Sequence, residues 1–82
     1  MLRIAIVDDH QIVRAGFREL LADELGLEIA FEAASGEAAL EALRAQPVDV
    51  LLLDLSLPGQ SGVDVLRAVR QRFEGTRVLM LS

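Results

Sequence analysis

A parallel β-sheet covered by helices on both faces is the fold class this sequence predicts, and three observations predict it. Residues 2–7 and 48–53 are short runs that are nearly all apolar, as strands buried on both faces of a parallel sheet must be. Strand-like and helix-like patterns alternate along the chain, which implies β-α-β units with right-handed crossovers. Acids close both apolar runs: Asp8 and Asp9 follow the first, and Asp54 follows the second. Ligands of such sheets bind beyond the carboxyl ends of the strands, where the strand order reverses. Two strands are therefore expected to deliver three carboxylates to one rim.

Each element has its own signal. The first strand takes residues 2–7. A helix is expected over about residues 11–25, where Ile12, Gly16, Phe17, Leu20 and Leu21 recur at helical spacing and Gly26 supplies a stop. Residues 28–33 alternate, with Ile29, Phe31 and Ala33 on one side and Glu28 and Glu32 on the other. That pattern fits a half-exposed edge strand. Ser35 can cap a second helix running to about Ala45, and Pro47 punctuates before the strand over residues 48–53. Leu57, Pro58, Gly59, Gln60, Ser61 and Gly62 have loop chemistry, and Ser61 with Asp64 resembles a capping box. The third helix shows Val63, Leu66, Val69 and Phe73 on one stripe. Glu74, Gly75 and Thr76 then turn the chain into a fourth strand over residues 77–82. The expected order is β-α-β-α-β-α-β in one domain, residues 1–82. Three helices are few for four strands, so the sequence reads as the N-terminal portion of a larger domain.

Composition narrows the function. The chain has 13 acidic residues against 8 basic ones, a formal net charge of -5. That argues against direct nucleic-acid binding, which needs a basic surface. All the basic residues are Arg, and the loose run Arg67, Arg70, Arg72 and Arg77 reads as a solvated helix face. Without Cys there are no disulfides or thiolate metal sites. No apolar stretch approaches the roughly 18 residues of a membrane span, and the start is too soon interrupted by acids for a signal peptide. The expectation is a soluble, cytoplasmic domain without a membrane partner. Crowded carboxylates repel each other, and a hard cation relieves the repulsion; Mg2+ is the expected cofactor.

With Val7-Asp8-Asp9-His10, Asp54 at the end of the third strand, and Pro58 and Gly62 after it, the chain resembles a response-regulator receiver domain of two-component signalling. Arg14, Gly16, Leu20-Leu21 and Leu57-Pro58-Gly59 are most similar to the branch whose receivers precede a LuxR-type helix-turn-helix domain. The resemblance implies a flavodoxin-like (CheY-like) three-layer αβα sheet with strand order 2-1-3-4-5, of which this chain holds four strands. It implies that Asp54 is the phosphoacceptor, taking a phosphoryl group from the phosphohistidine of a sensor histidine kinase. Asp9 then resembles the direct Mg2+ ligand and Asp8 the one acting through water, with Asp54 and the backbone carbonyl of Ser56 completing the protein ligands. Ser82 stands where the family has a switch hydroxyl that bonds the new phosphoryl group. DNA would be contacted only through a downstream domain outside this chain. The family's phosphate-binding Lys and aromatic switch residue lie near a fifth strand, beyond these residues.

Other readings stand beside this one. An aspartyl-nucleophile phosphohydrolase would usually carry a second Asp two positions after the nucleophile, where Ser56 stands. A dinucleotide site needs closely spaced glycines after the first strand, and the chain has Asp8-Asp9-His10 there. A non-phosphorylated interaction module, self-associating as a homodimer or swapped assembly through an exposed sheet face and edge, remains open. His10 reads as an exposed residue at the helix start, and the Ser56 side chain as incidental. Read without the resemblance, Ser82 is a terminal residue free to fray.

Overall fold

The computed structural model describes residues 1–57, 59 and 61–81. Four strands and three helices alternate: β1 (Leu2–Val7), α1 (Gln11–Ala22), β2 (Leu27–Ala33), α2 (Gly36–Ala45), β3 (Val50–Asp54), α3 (Gly62–Arg72) and β4 (Arg77–Leu81). All strand pairs are parallel, and the sheet runs β2-β1-β3-β4. The chain steps outward from β1 to β2, then crosses back to lay β3 on the other flank of β1. The order therefore reverses between β1 and β3, and that is where a parallel sheet opens a crevice at its carboxyl ends.

The predicted three layers are present. On one face, Phe17 and Leu21 of α1 pack over Ile4, Ile6 and Leu52. On the other, Ala39 and Leu43 of α2 and Val65 and Val69 of α3 bury Ala5, Val7, Leu51 and Leu53. Full burial of a Val or Leu side chain is worth roughly 1.5–3 kcal/mol. Alternate residues of β1 and β3 are thus anchored from above and below, which fixes the residues that follow them.

Local details depart from the sequence expectations. Helix α1 ends at Ala22 rather than near Leu25. Asp23 and Glu24 would put negative charge at the negative end of the helix dipole, and Leu25 is almost fully exposed, so extending the helix would bury nothing. Gly26 acts three residues past the helix cap, in the turn into β2: its φ is +87° and its carbonyl accepts the N–H of Leu2 at 2.7 Å.

The simple alternation assigned to β2 is broken. Ile4 pairs with Ile29 but Ala5 pairs with Phe31, so Ala30 is an extra residue, a bulge. Beyond a bulge the facing changes: Leu27 and Ile29 pack on the α1 side, whereas Phe31 and Ala33 pack on the opposite side. Strand β3 starts at Val50, not Val48. Just before it, the Asp49 carboxylate takes the Arg3 N–H at 2.8 Å, a place a ladder carbonyl would otherwise fill.

On α3 the buried stripe is Gly62, Val65 and Val69, with Leu66 and Phe73 partly covered, and Val63 faces outward. The reason is Gly62: a Cβ there would stand 2.7 Å from Leu55 Cα and 2.9 Å from the Asp54 carbonyl oxygen. The helix sits so close to the end of β3 that its register is set by the residue lacking a side chain. Ser35 and Ser61 cap α2 and α3 as expected, accepting from the N–H groups of Ala38 and Asp64 at 3.2 Å. Arg67, Arg70, Arg72 and Arg77 are exposed, as a solvated face requires. No helix among the described residues is long and apolar enough to cross a membrane.

Candidate functional site: an acid pocket at two strand ends

The carboxyl ends of β1 and β3 converge on one pocket. Asp8 follows β1 and extends its ladder, its N–H donating to the Ala33 carbonyl at 3.0 Å. Asp54 is the last residue of β3, held in register opposite Leu81. Both are buried, at 4% and 6% exposure, while Asp9 and His10 are exposed on the turn that leads into α1. One donor atom from each of Asp8, Asp9, His10 and Asp54 lies within 4.8 Å of the others. The pocket is an open cleft of about 370 Å³ whose floor is Asp8, Asp54 and Ser56 and whose apolar wall is Val13, Phe17 and Leu81.

The two buried carboxylates are held alike. Asp54 Oδ1 accepts from the Ser56 N–H and from the Ser56 hydroxyl, each at 3.0 Å. Asp8 Oδ1 accepts from the His10 N–H at 2.8 Å and faces His10 Nδ1 at 3.0 Å. In both cases the residue two positions on returns its backbone and its side chain to one oxygen, a local turn that Asp favours. Among the described residues no hydrogen bond reaches Oδ2 of either Asp. A buried carboxylate oxygen without a partner is costly, and a cation at the pocket mouth would satisfy both.

His10 Nδ1 also lies 3.1 Å from Asp9 Oδ1. The hydrogen bond with Asp8, then the charge of Asp9, raise the imidazole above its ordinary 6.5; desolvation opposes them, and the charges of Asp8 and Asp54 add smaller contributions. The ring therefore keeps its positive charge to higher pH than a free imidazole, and when charged it offsets part of the pocket's negative charge. A second cation steadies the turn from behind: Arg14 donates from Nη1 to the Asp8 carbonyl at 2.5 Å. Its Nε lies 3.6 Å from Glu32 Oε1 on β2, and Arg18 pairs with the other Glu32 oxygen at 2.8 Å.

The structure thus gathers Asp8, Asp9, Asp54 and Ser56, four of the five residues picked out from the sequence. The fifth, Ser82, lies outside the described residues, as does Pro58 of the loop. One assignment needs correction: the Ser56 side chain is not incidental, because its hydroxyl fixes the Asp54 carboxylate. His10 lines the pocket and Arg14 braces the Asp8 backbone beside it, and the sequence reading assigns neither contact. The signal for His10 was its place two residues after Asp8, the same offset as Ser56 from Asp54. The fit to Mg2+ is good on donor chemistry, since carboxylate oxygens are what a hard cation takes, and two of them are buried without partners.

Comparison with known proteins agrees with this geometry. Residues 4–82 match the family model described as the response regulator receiver domain. The response regulator UvrY of Escherichia coli O6:H1 is 39% identical over 82 residues, which cover all of this chain and 38% of that protein. The chain therefore spans under two-fifths of the length of such relatives. Among solved structures, a LuxR-family response regulator from Aurantimonas sp. SI85-9A1 superposes with a TM-score of 0.90 at 38% identity, over 98% of this chain and 57% of that one. RcsB from Salmonella enterica serovar Typhimurium, bound to a promoter with the phosphomimetic BeF3-, gives a TM-score of 0.91 at 25% identity, over 98% and 68%. An all-parallel sheet with its order reversed between β1 and β3, acids at those two strand ends, and these matches lead to one assignment: the chain belongs to the response regulator receiver domain family.

Proposed function

We propose that this chain is the phosphoaccepting part of a two-component response regulator, with Asp54 as the phosphoacceptor and Mg2+ as the cofactor. The observation that carries the reading is the state of Asp54: buried, with Oδ1 engaged twice by Ser56 and Oδ2 without a partner among the described residues. A carboxylate held in this way has one oxygen to offer as a nucleophile. Oδ2 attacks the phosphorus of the donor, the donor's P–N bond breaks, and the imidazole of the donor phosphohistidine leaves with the electron pair. Asp54 then carries the phosphoryl group as an acyl phosphate.

Asp8, Asp9, Asp54 and the carbonyl of Ser56 are the residues that would hold Mg2+. When bound, the ion would offset the negative charge that three carboxylates and a phosphoryl group bring together. Arg14 holds the Asp8 backbone, and Ser56 keeps the Asp54 carboxylate from turning. Ser82 is proposed as the switch hydroxyl. A sensor histidine kinase is the proposed donor in the cytoplasm, and residues 1–82 are proposed as the N-terminal portion of the receiver. Structures of RcsB with DNA support, for that protein, a DNA-bound output; for this chain, DNA contact through a downstream domain is a proposal. Incubation with a small phosphodonor and Mg2+, read by intact-mass spectrometry, tests the assignment. Wild type and Glu37→Gln should gain one phosphoryl group and Asp54→Asn none; equal labelling of Asp54→Asn would refute it.

Self-association is a second proposed property. Strand β4 pairs with β3 alone among the described strands, and its Leu79 is 57% exposed, a combination that favours pairing with another copy. Light scattering at micromolar concentration should report a dimer or exchanged assembly, and a clean monomer would refute it.

A further inference from the structure

We propose that Glu32 and Arg14 form a positioning relay for the acid pocket, in which a carboxylate on β2, outside the pocket, sets how firmly Asp9 is presented to a cation. The inference rests on the reading of the pocket as an Mg2+ site and names what controls its affinity. The peptide that joins Asp8 to Asp9 has one anchor among the described residues. Its carbonyl accepts from Arg14 Nη1 at 2.5 Å, while the Asp9 N–H makes no hydrogen bond. Asp9 stands on the turn with its side chain 30% exposed. The direction in which it leaves the strand therefore leans on Arg14. The same guanidinium has its Nε 3.6 Å from Glu32 Oε1, and the other Glu32 oxygen accepts from Arg18 Nη1 at 2.8 Å. Held between two arginines of α1, Glu32 fixes the plane of the fork that grips the Asp8 carbonyl.

The path of β2 shows that Glu32 is aimed. Up to Ile29 the strand alternates, with Leu27 and Ile29 on the α1 side and Glu28 on the other, where it pairs with Arg3 at 3.0 Å. Continued without interruption, that alternation would put Glu32 on the Glu28 side, away from α1. The extra residue Ala30 reverses the facing, so Glu32 meets Arg14 and Arg18 instead. Re-aiming a side chain beside a site is what bulges commonly do. The pair that results is also sheltered. The side chains of Arg14 and Glu32 are 18% and 22% exposed, against 38% and 47% for Arg3 and Glu28 at the other end of β2. Exposed ion pairs hold little, and salt screens sheltered ones less.

The test is an amide-correlation NMR titration of the 82-residue chain with MgCl2, which follows the folded molecules alone. It compares wild type with Arg14→Lys, Glu32→Gln, the double variant and Arg3→Gln. Arg14→Lys keeps the charge but offers one nitrogen where the relay needs a fork. Outer partners of metal ligands are worth about 10–100-fold in affinity, so Arg14→Lys should weaken Mg2+ binding by about ten-fold. Glu32→Gln should weaken it in the same direction. The double variant should lose no more than Arg14→Lys alone, because members of one network do not add. Before any metal is added, both single variants should shift the Asp9 amide. Arg3→Gln, which breaks the other β2 ion pair, should do neither. Additive losses, an unmoved Asp9 amide, Mg2+ affinity equal to wild type, or an equal loss in Arg3→Gln would overturn the relay while leaving the pocket an Mg2+ site. Failure of wild type to bind Mg2+ would overturn both readings.

Discussion

The ends of β1 and β3 use one backbone device with two different second residues. Each strand delivers a buried Asp, and each Asp has one oxygen gripped by the residue two positions later, His10 at β1 and Ser56 at β3. The hydroxyl of Ser56 is neutral, so the partner that holds Asp54 adds no titrating group to that strand end. The imidazole of His10 is titratable and faces three carboxylates, so the β1 end changes its charge with pH. The same geometry thus pairs one carboxylate with a neutral partner and the other with a titratable one. That division suits the proposed function, in which Asp54 would present a nucleophilic oxygen beside Asp8 and Asp9.

The comparison can be broken most severely at Gly62. Its absent Cβ is what lets α3 approach the residues following β3, and Gly62→Ala would force the Leu55 and Asp54 backbone to move. Overpacking of this kind costs about 1–3 kcal/mol. Urea denaturation should show a loss in that range together with amide shift changes at Asp54, whereas a change near zero would mean that the helix can withdraw freely. A smaller effect is expected at Ser56. Ser56→Ala removes one of two hydrogen bonds to Asp54 and should cost about 1 kcal/mol; unchanged stability would mean that the hydroxyl prefers water to the carboxylate.

The smallest effect sharpens the contrast. In metal-free protein the His10 ring should titrate above 6.5, and Asp8→Asn should bring its midpoint down, because the bond to Asp8 is the largest cause of the shift. A raised folded-state value means that the stabilisation is fully present below about 6.5 and fades as pH rises through the folded value. Ring-proton NMR against pH measures both, and a midpoint at or below 6.5 would contradict the pairing. No matching pH response is expected from the Ser56 hydroxyl.

How much of this was legible depended on the range of the physics involved. Asp8, Asp9 and Asp54 stood out because apolar runs mark buried strands, and the next residue of a parallel strand must emerge at the rim. The caps at Ser35 and Ser61 were legible for a similar reason, since they depend on neighbours three residues away. The bulge at Ala30 was not, because it arises from pairing with β1 and reverses the faces of the residues beyond it. The exposure of Val63 was hidden too: helical spacing permits several stripes, and only the close approach at Gly62 selects one. Arg14 and Glu32 come from different elements, so their link behind the Asp8 turn exists only once α1 lies on β2. Ser56 and His10 shared an offset of two from an Asp, a local signal that could have been read as a pair.

The most direct test of the central claim is an amide-correlation NMR titration, first with Mg2+ and then with beryllofluoride as a phosphoryl mimic. Mg2+ should move the resonances of Asp8, Asp9, Asp54 and Ser56 together. Beryllofluoride should then act only when Mg2+ is present, with changes centred on Asp54. A folded spectrum indifferent to both additions would contradict it, because the pocket would then be a set of acids at two strand ends without the chemistry assigned to them.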